Sequence, residues 1–256
     1  MHWITKLTNR VVGAEGTKKL VGFSNDLGYQ SILTKNKIKR TIRGRKENKY
    51  LFILSPPFCG STLLNHIISS SKNVSSNNIY HSREGQQLPG VKKVLFDNKR
   101  RWHPDTTFDW TFIKSEWEKY WDVTKSILLE KSPCSIVRAD VLVEAFVPAY
   151  FVIIYRNPYA HCEGVMRRNK WPPEKAANFV IKCLRFQKKN KLQLKNAITF
   201  SYEEMTEDPE RIVGLLVNQL EELNDIQISK LYPTQNVRNK NIAITNLNDE
   251  KIKNSF

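Results

Sequence analysis

No apolar run in this 256-residue sequence approaches the ~20 residues of a membrane-spanning helix. The longest, Ala145–Tyr155, is interrupted by Pro148. The first residues hold no apolar core of the ~7–15 residues a secretory signal needs, so secretion is not expected. Cysteine is scarce. Cys59, Cys134, Cys162 and Cys183 lie far apart with no C-x-x-C pair, which argues against a disulfide framework or a zinc site. Reduced thiols and a cytoplasmic location are the expectation. Acids are outnumbered, 25 Asp and Glu against 41 Lys and Arg. Two phosphate-binding signatures are also missing: the lysine of G-x-x-x-x-G-K-[ST], and the dinucleotide fingerprint G-x-G-x-x-G. No helix-turn-helix, zinc or RNP-type pattern marks a dedicated nucleic-acid reader.

What is present is a foldable and strongly basic chain. Hydrophobic residues make up 40% and aromatics 11%, enough for one α/β domain with a real core. The net charge of +16 is uneven, because residues 1–49 hold twelve Lys or Arg against three acids. A second cluster, Lys182, Arg185, Lys188, Lys189, Lys191 and Lys195, contains no acid. Such a balance suits an anionic ligand, whether nucleotide phosphates, nucleic acid, a membrane surface or an acidic polymer. A merely solvated basic surface fits it too.

Residues 1–49 lack clear periodicity and are broken by Gly13, Gly16, Gly22, Gly28 and Gly44, so a basic arm or irregular lead-in is expected there. A single domain is expected over residues 50–256. Tyr50–Leu54 reads as a strand buried on both faces, followed by a turn and a helix from about Ser61 to Ile68. Ile127–Leu129, Ala149–Tyr155 and Ala197–Ser201 read as further strands. Ser132 and Pro133 suggest a capped helix with Ile136, Ala139, Val143 and Phe146 inward. Further helices are expected after Pro158, from Pro173 to Lys195, and from Pro209, capped by Asp208. The alternation predicts a central, mostly parallel sheet flanked by helices.

Chemistry concentrates where strands end. In Ser55-Pro56-Pro57-Phe58-Cys59-Gly60-Ser61-Thr62-Leu63-Leu64, Gly60 lets the backbone approach an anion. The free amides of the first helical turn and the hydroxyls of Ser61 and Thr62 can hold phosphate or sulfate oxygens. An ordinary capped turn would look the same. Arg156, in Tyr155-Arg156-Asn157-Pro158, ends the most apolar strand, where open α/β sheets place their ligand crevice. Its guanidinium can grip a phosphate bidentately.

Together these segments resemble the sulfotransferases that use 3′-phosphoadenosine 5′-phosphosulfate (PAPS), whose fold is similar to that of P-loop nucleotide-binding proteins. The resemblance runs from about Tyr50 to Asn248. Ser55–Leu64 is similar to the loop for the 5′-phosphosulfate, which implies Cys59, Gly60, Ser61, Thr62 and Leu63 as cofactor-binding residues. Glu130-Lys131-Ser132-Pro133, with Arg138, resembles the family's E-K-[ST]-P segment. Arg156-Asn157-Pro158 resembles the start of its 3′-phosphate motif. Ser201-Tyr202-Glu203-Glu204 followed by Asp208-Pro209 resembles its Y-E-[DE]…D-P segment, whose tyrosine lies near the adenine. Asn246-Leu247-Asn248 is similar to a C-terminal pattern, and the end at Phe256 soon afterwards is consistent with a further segment. Two positions depart: Phe58 stands where the family usually has Arg or Lys, and Gly164 where it usually has serine.

The resemblance implies sulfuryl transfer from PAPS to a hydroxyl or amine on a carbohydrate, a protein tyrosine or a small molecule, with no metal. Lys131 matches a lysine that contacts the sulfuryl group, and Arg83-Glu84-Gly85-Gln86-Gln87-Leu88 matches the branch whose base is a glutamate. Glu84 and Lys131 are therefore the expected catalytic pair, with His81 and His103 as alternatives to Glu84 and His161 expected in packing. Trp110, Trp117 and Trp121 are partly helix-spaced, so they suit the core or, with Trp102, a wall of the acceptor pocket. A protein of this fold that binds nucleotide, anionic polymer or nucleic acid without turnover is the alternative.

Overall fold

The computed structural model describes residues 26–228. Their centre is a five-stranded sheet: β1 (Lys49–Leu54), β2 (Val74–Ser76), β3 (Ile127–Glu130), β4 (Ala149–Tyr155) and β5 (Ala197–Ser201). The strands lie in the order β2-β3-β1-β4-β5, and every pairing is parallel. Helices cover both faces, so successive side chains enter two cores. Phe52, Leu54, Leu128, Phe151 and Ile153 join one; Leu51, Ile53, Leu129, Val152 and Ile154 join the other. This double burial is why β1 from Tyr50 onward and β4 are apolar rather than alternating.

Helix α1 covers residues 26–43 and corrects the expected irregular lead-in for that stretch; residues 1–25 lie outside the described ones. Tyr29, Ile32 and Leu33 give it an apolar stripe against the first core. The tyrosine ring meets Tyr80 edge-on at 5.0 Å and Tyr120 at 5.7 Å. Gly28 is a close approach, not a breaker: a Cβ there would stand 2.2 Å from the Tyr80 hydroxyl. Gly44, at φ +70, lies just beyond the helix end.

The first crossover runs through α2 (Ser61–Ile68) to β2, and α3 (Trp110–Tyr120) precedes β3. Strand β2 pairs on one side only, with β3, and its Val-Ser-Ser carries no hydrophobic signal that could have announced it. After β3 the chain makes a 3-10 turn over Pro133–Val137, and α4 begins only at Ala139, ending at Ala145. The expected Ser132 cap is not formed, because its hydroxyl is held by Glu130 and by the Gln86 amide. Val143, expected inward, is 44% exposed, whereas Ile136, Ala139 and Phe146 are buried. Helices α5 (Pro158–Asn169) and α6 (Pro173–Gln193) separate β4 from β5; α7 (Tyr202–Glu207) and α8 (Pro209–Gln219) follow β5. Asp208 caps α8 through the Arg211 amide at 3.0 Å, as its sequence predicts. Among the described residues no helix is long and apolar enough to cross a membrane, and no group of His, Cys, Asp and Glu could hold a metal ion. Asn246-Leu247-Asn248 lies outside the described residues.

Candidate functional site

The strand order makes β1 the switch point: the chain leaves it toward β2 and β3, then crosses to β4 on its other side. A crevice opens beyond the carboxyl ends of such strands. Here Leu54, Glu130 and Tyr155 end β1, β3 and β4, so Ser55–Gly60, Lys131 and Arg156 all emerge at one edge. A cavity of about 920 Å³ lies there, lined by Gly60, Ser61, Thr62, Glu84 and Lys131 among others.

Gly60 is the N-cap of α2 at φ 86, in the left-handed region that a Cβ disfavours. It is also pressed by Tyr202, whose Cδ2 would stand 2.4 Å from a Cβ. The first amide to reach an acceptor within the helix is that of Leu64, onto the Gly60 carbonyl at 3.1 Å. Those of Ser61, Thr62 and Leu63 precede it and face the end of the helix, whose first turn has no acid. This is a donor set suited to an anion. Cys59 and Leu63 can offer only their backbone. The Cys59 thiol is fully buried and lies 3.6 Å from the Pro57 carbonyl; burial pushes its pKa well above the ordinary thiol value. Leu63 packs on the second core.

Lys131 is 2% exposed, and its ammonium ends inside the cavity. It donates to the Ser82 carbonyl, to Thr62 Oγ1 at 3.4 Å and to Glu84 Oε1 at 3.4 Å. Desolvation lowers its pKa from the ordinary lysine value, with Glu84 opposing that shift. The other oxygen of Glu84 accepts from Gln86 Nε2 at 2.6 Å and Gln87 Nε2 at 2.9 Å. The loop carrying Glu84 is fixed from several sides. Arg83, at φ 59, donates to Asn65 on α2 and to Ser69 Oγ. The Gly85 amide donates to Glu130 Oε1 at 3.2 Å, and Trp117 Nε1 donates to the Gly85 carbonyl at 3.2 Å. A preorganised carboxylate and ammonium therefore face the same cavity. Gln86, Gln87, Arg83 and Trp117 carry no sequence signal for this role; only packing reveals it.

Glu130 lies behind the pair, fully buried, and burial pushes its carboxyl up to about 7. A folded pKa raised from 4.5 stabilises the fold most below pH 4.5, and that contribution is lost as pH rises to about 7. Urea unfolding of the wild type against Glu130→Gln is therefore expected to show the wild type losing ground between those pH values. A difference that stays constant across that window refutes the reading.

Arg156 donates from Nη1 to the Phe58 carbonyl at 2.9 Å, and its guanidinium lies over the Tyr202 ring at 4.7 Å. Arg156 and Tyr202 thus meet on the Gly60 side of the loop, and neither lines the large cavity. The two departures, Phe58 and Gly164, prove to be neighbours. A Cβ on Gly164 would stand 3.1 Å from Phe58 Cβ, and Phe58 itself holds φ 67, a strained conformation for a residue with a side chain. Gly164→Ser is expected to destabilise the protein, since overpacking costs ~1–3 kcal/mol and exceeds the ~0.5 kcal/mol of helix propensity gained. In a Phe58→Gly background, which removes that Cβ and suits the positive φ, the same change is expected to become neutral or stabilising. Equal effects in both backgrounds, measured by thermal unfolding, would refute the coupling.

His161 is buried at 1% exposure, with its pKa lowered to about 3 by desolvation, so it is a packing residue as expected. His81 and His103 do not line the cavity, and His103 pairs with Asp105 at 3.3 Å near the surface. The tryptophans divide: Trp117 and Trp121 are fully buried, whereas Trp102 is a cavity wall.

The fold and this strand-end crevice define an open, parallel α/β architecture with its ligand crevice at the carboxyl edge of the sheet. The sulfotransferase family profile matches residues 51–223, and the chain belongs to that family. Its fold is similar to that of the sulfotransferase STF9 from Mycobacterium avium, at 11% identity and a TM-score of 0.52, covering 88% of this chain and 79% of that one. It is also similar to STF1 from Mycobacterium tuberculosis H37Rv, at 12% identity and a TM-score of 0.51, covering 89% and 80%. No curated protein is a significant sequence match.

Proposed function

We propose that this protein transfers a sulfuryl group from PAPS to a hydroxyl or amine acceptor. The observation that carries the reading is one buried ammonium, Lys131, within 3.4 Å of both Glu84 Oε1 and Thr62 Oγ1 at the start of α2. The residues present fit the donor: free helix-terminal amides, two hydroxyls and a desolvated cation are a chemical match for a phosphosulfate. Bound there, the donor supplies an electrophilic sulfur and a phosphate leaving group. Gly60, Ser61 and Thr62, with the amides of Cys59 and Leu63, hold the 5′-phosphosulfate. Arg156 holds the 3′-phosphate, and Tyr202 lies near the adenine. Glu84 takes the acceptor's proton as the acceptor–sulfur bond forms and the sulfur–oxygen bond to the phosphate breaks. Lys131 offsets the charge developing on the bridging and sulfuryl oxygens.

A thermal-shift comparison of 3′-phosphoadenosine 5′-phosphate, AMP and ATP tests this. At ~100 times Kd a true ligand adds about 2.7 kcal/mol, a rise of roughly 5–10 °C for a domain of this size. The expected result is a shift for the 3′-phosphorylated nucleotide, lost in Arg156→Ala. Equal affinity for a nucleotide lacking the 3′-phosphate overturns the Arg156 assignment. Phe58 and Gly164 support a second reading, a fold of this family that binds without turnover; selective binding with no sulfated product would favour it.

A further inference from the structure

Besides Glu84 and Lys131, the lining of the cavity holds a second set of groups. Trp102, Trp171 and Phe179 line it and touch in sequence: Trp102 meets Phe179 edge-on at 5.1 Å, and Trp171 meets it at 5.7 Å. Three cations line the same space, Lys99, Arg101 and Arg168. Lys99 and Arg168 are exposed, while half-buried Arg101 is steadied over the Phe96 ring at 5.0 Å. Among the described residues the only acid in the lining is Glu84, which already faces Lys131.

Elsewhere on this basic surface a minority of the cations have acidic partners. Lys39 pairs with Asp122, Lys49 with Glu222, Arg211 with Glu204 and, beside the cavity, Arg167 with Glu163 at 3.0 Å. None of the three cavity cations takes part in an ion pair among the described residues. An aromatic wall accepts the flat or apolar face of a ring, and unpaired cations around it favour a bound anion.

We infer that the acceptor is a hydroxyl-bearing ring compound that already carries a negative charge. Its ring rests on Trp102, Trp171 and Phe179. Its carboxylate, phosphate or sulfate is met by Lys99, Arg101 and Arg168, and its hydroxyl is presented to Glu84. This rests on the proposed transfer reaction and specifies the acceptor class for the same site.

The test uses a matched pair of probes, 4-nitrophenyl β-D-glucuronide and 4-nitrophenyl β-D-glucoside, which differ only at C6, a carboxylate in the first and a hydroxymethyl group in the second. Binding is measured by calorimetry at low and high salt, with and without saturating 3′-phosphoadenosine 5′-phosphate. The acidic probe is expected to bind about tenfold tighter, the gain of a charge-assisted contact. Salt is expected to shrink the gap, since exposed charges are screened. Arg168→Ala and Lys99→Ala are each expected to narrow it while leaving the affinity for 3′-phosphoadenosine 5′-phosphate unchanged. An acidic probe that binds no better than its neutral twin, including the case where neither binds, overturns the inference. So does an Arg168→Ala variant that loses nucleotide affinity while keeping the preference. Failure of nucleotide binding alone sinks the donor reading instead, and the probe comparison made without nucleotide still decides the acceptor class.

Discussion

Replacing Glu84 with glutamine is expected to lower turnover by roughly 10²–10⁴-fold, the usual contribution of a positioned general base. The amide has nearly the same shape but cannot take a proton from the acceptor. The loop should keep its place, because its anchors lie elsewhere: Arg83 on Asn65, the Gly85 amide on Glu130 and Trp117 on the Gly85 carbonyl. Gln86 and Gln87 can still donate to the remaining carbonyl oxygen, which turns the new amide nitrogen toward Lys131. The thermal shift with 3′-phosphoadenosine 5′-phosphate serves as the folding control and should survive. Wild-type turnover in this variant would remove Glu84 from the mechanism.

Lys131→Ala is expected to reduce turnover by about 10²–10³-fold, comparable to losing one preorganised donor to developing negative charge. Because that charge exists mainly in the transition state, kcat and kcat/KM should fall together and nucleotide affinity should change little. A rise in KM alone would mean that Lys131 only holds substrate. The wild type carries a related pH signature. Desolvation lowers the Lys131 pKa from 10.5, so the ammonium and the rate it supports are expected to disappear below that pH as alkalinity rises. An alkaline limb that persists unchanged in Lys131→Ala would assign it to another group.

The strands and the turn motifs were legible because their causes are local. Tyr50–Leu54 and Ala149–Tyr155 are apolar throughout, and Ala197–Ser201 was read with its observed bounds. Helix α2 and the Asp208 cap were equally plain. Helix α1 was not, because Gly28 resembles a breaker until Tyr80 is seen lying against it. Ser132 has the sequence of a cap, yet its hydroxyl is drawn to Glu130 and the Gln86 amide, buried partners that need it. Phe58 and Gly164 were visible as two separate departures; that they touch was not.

The sequence by itself determined a parallel α/β sheet and placed a glycine, hydroxyls, a lysine and an arginine at strand ends. Period-two burial, loop chemistry and capping act within a few residues and leave marks that can be read there. Only the tertiary structure decided which of those groups share a site. Lys131 reaches Glu84 across 47 residues and Thr62 across 69, because β3 lies next to β1 and the loop after β2 folds back over their ends. The same order of strands brings Arg156 to Phe58 and Tyr202 to Gly60 in the loop after β1, and neither lines the large cavity. Long-range contacts follow from how the whole sheet and both cores pack, and no window of the chain encodes that alone.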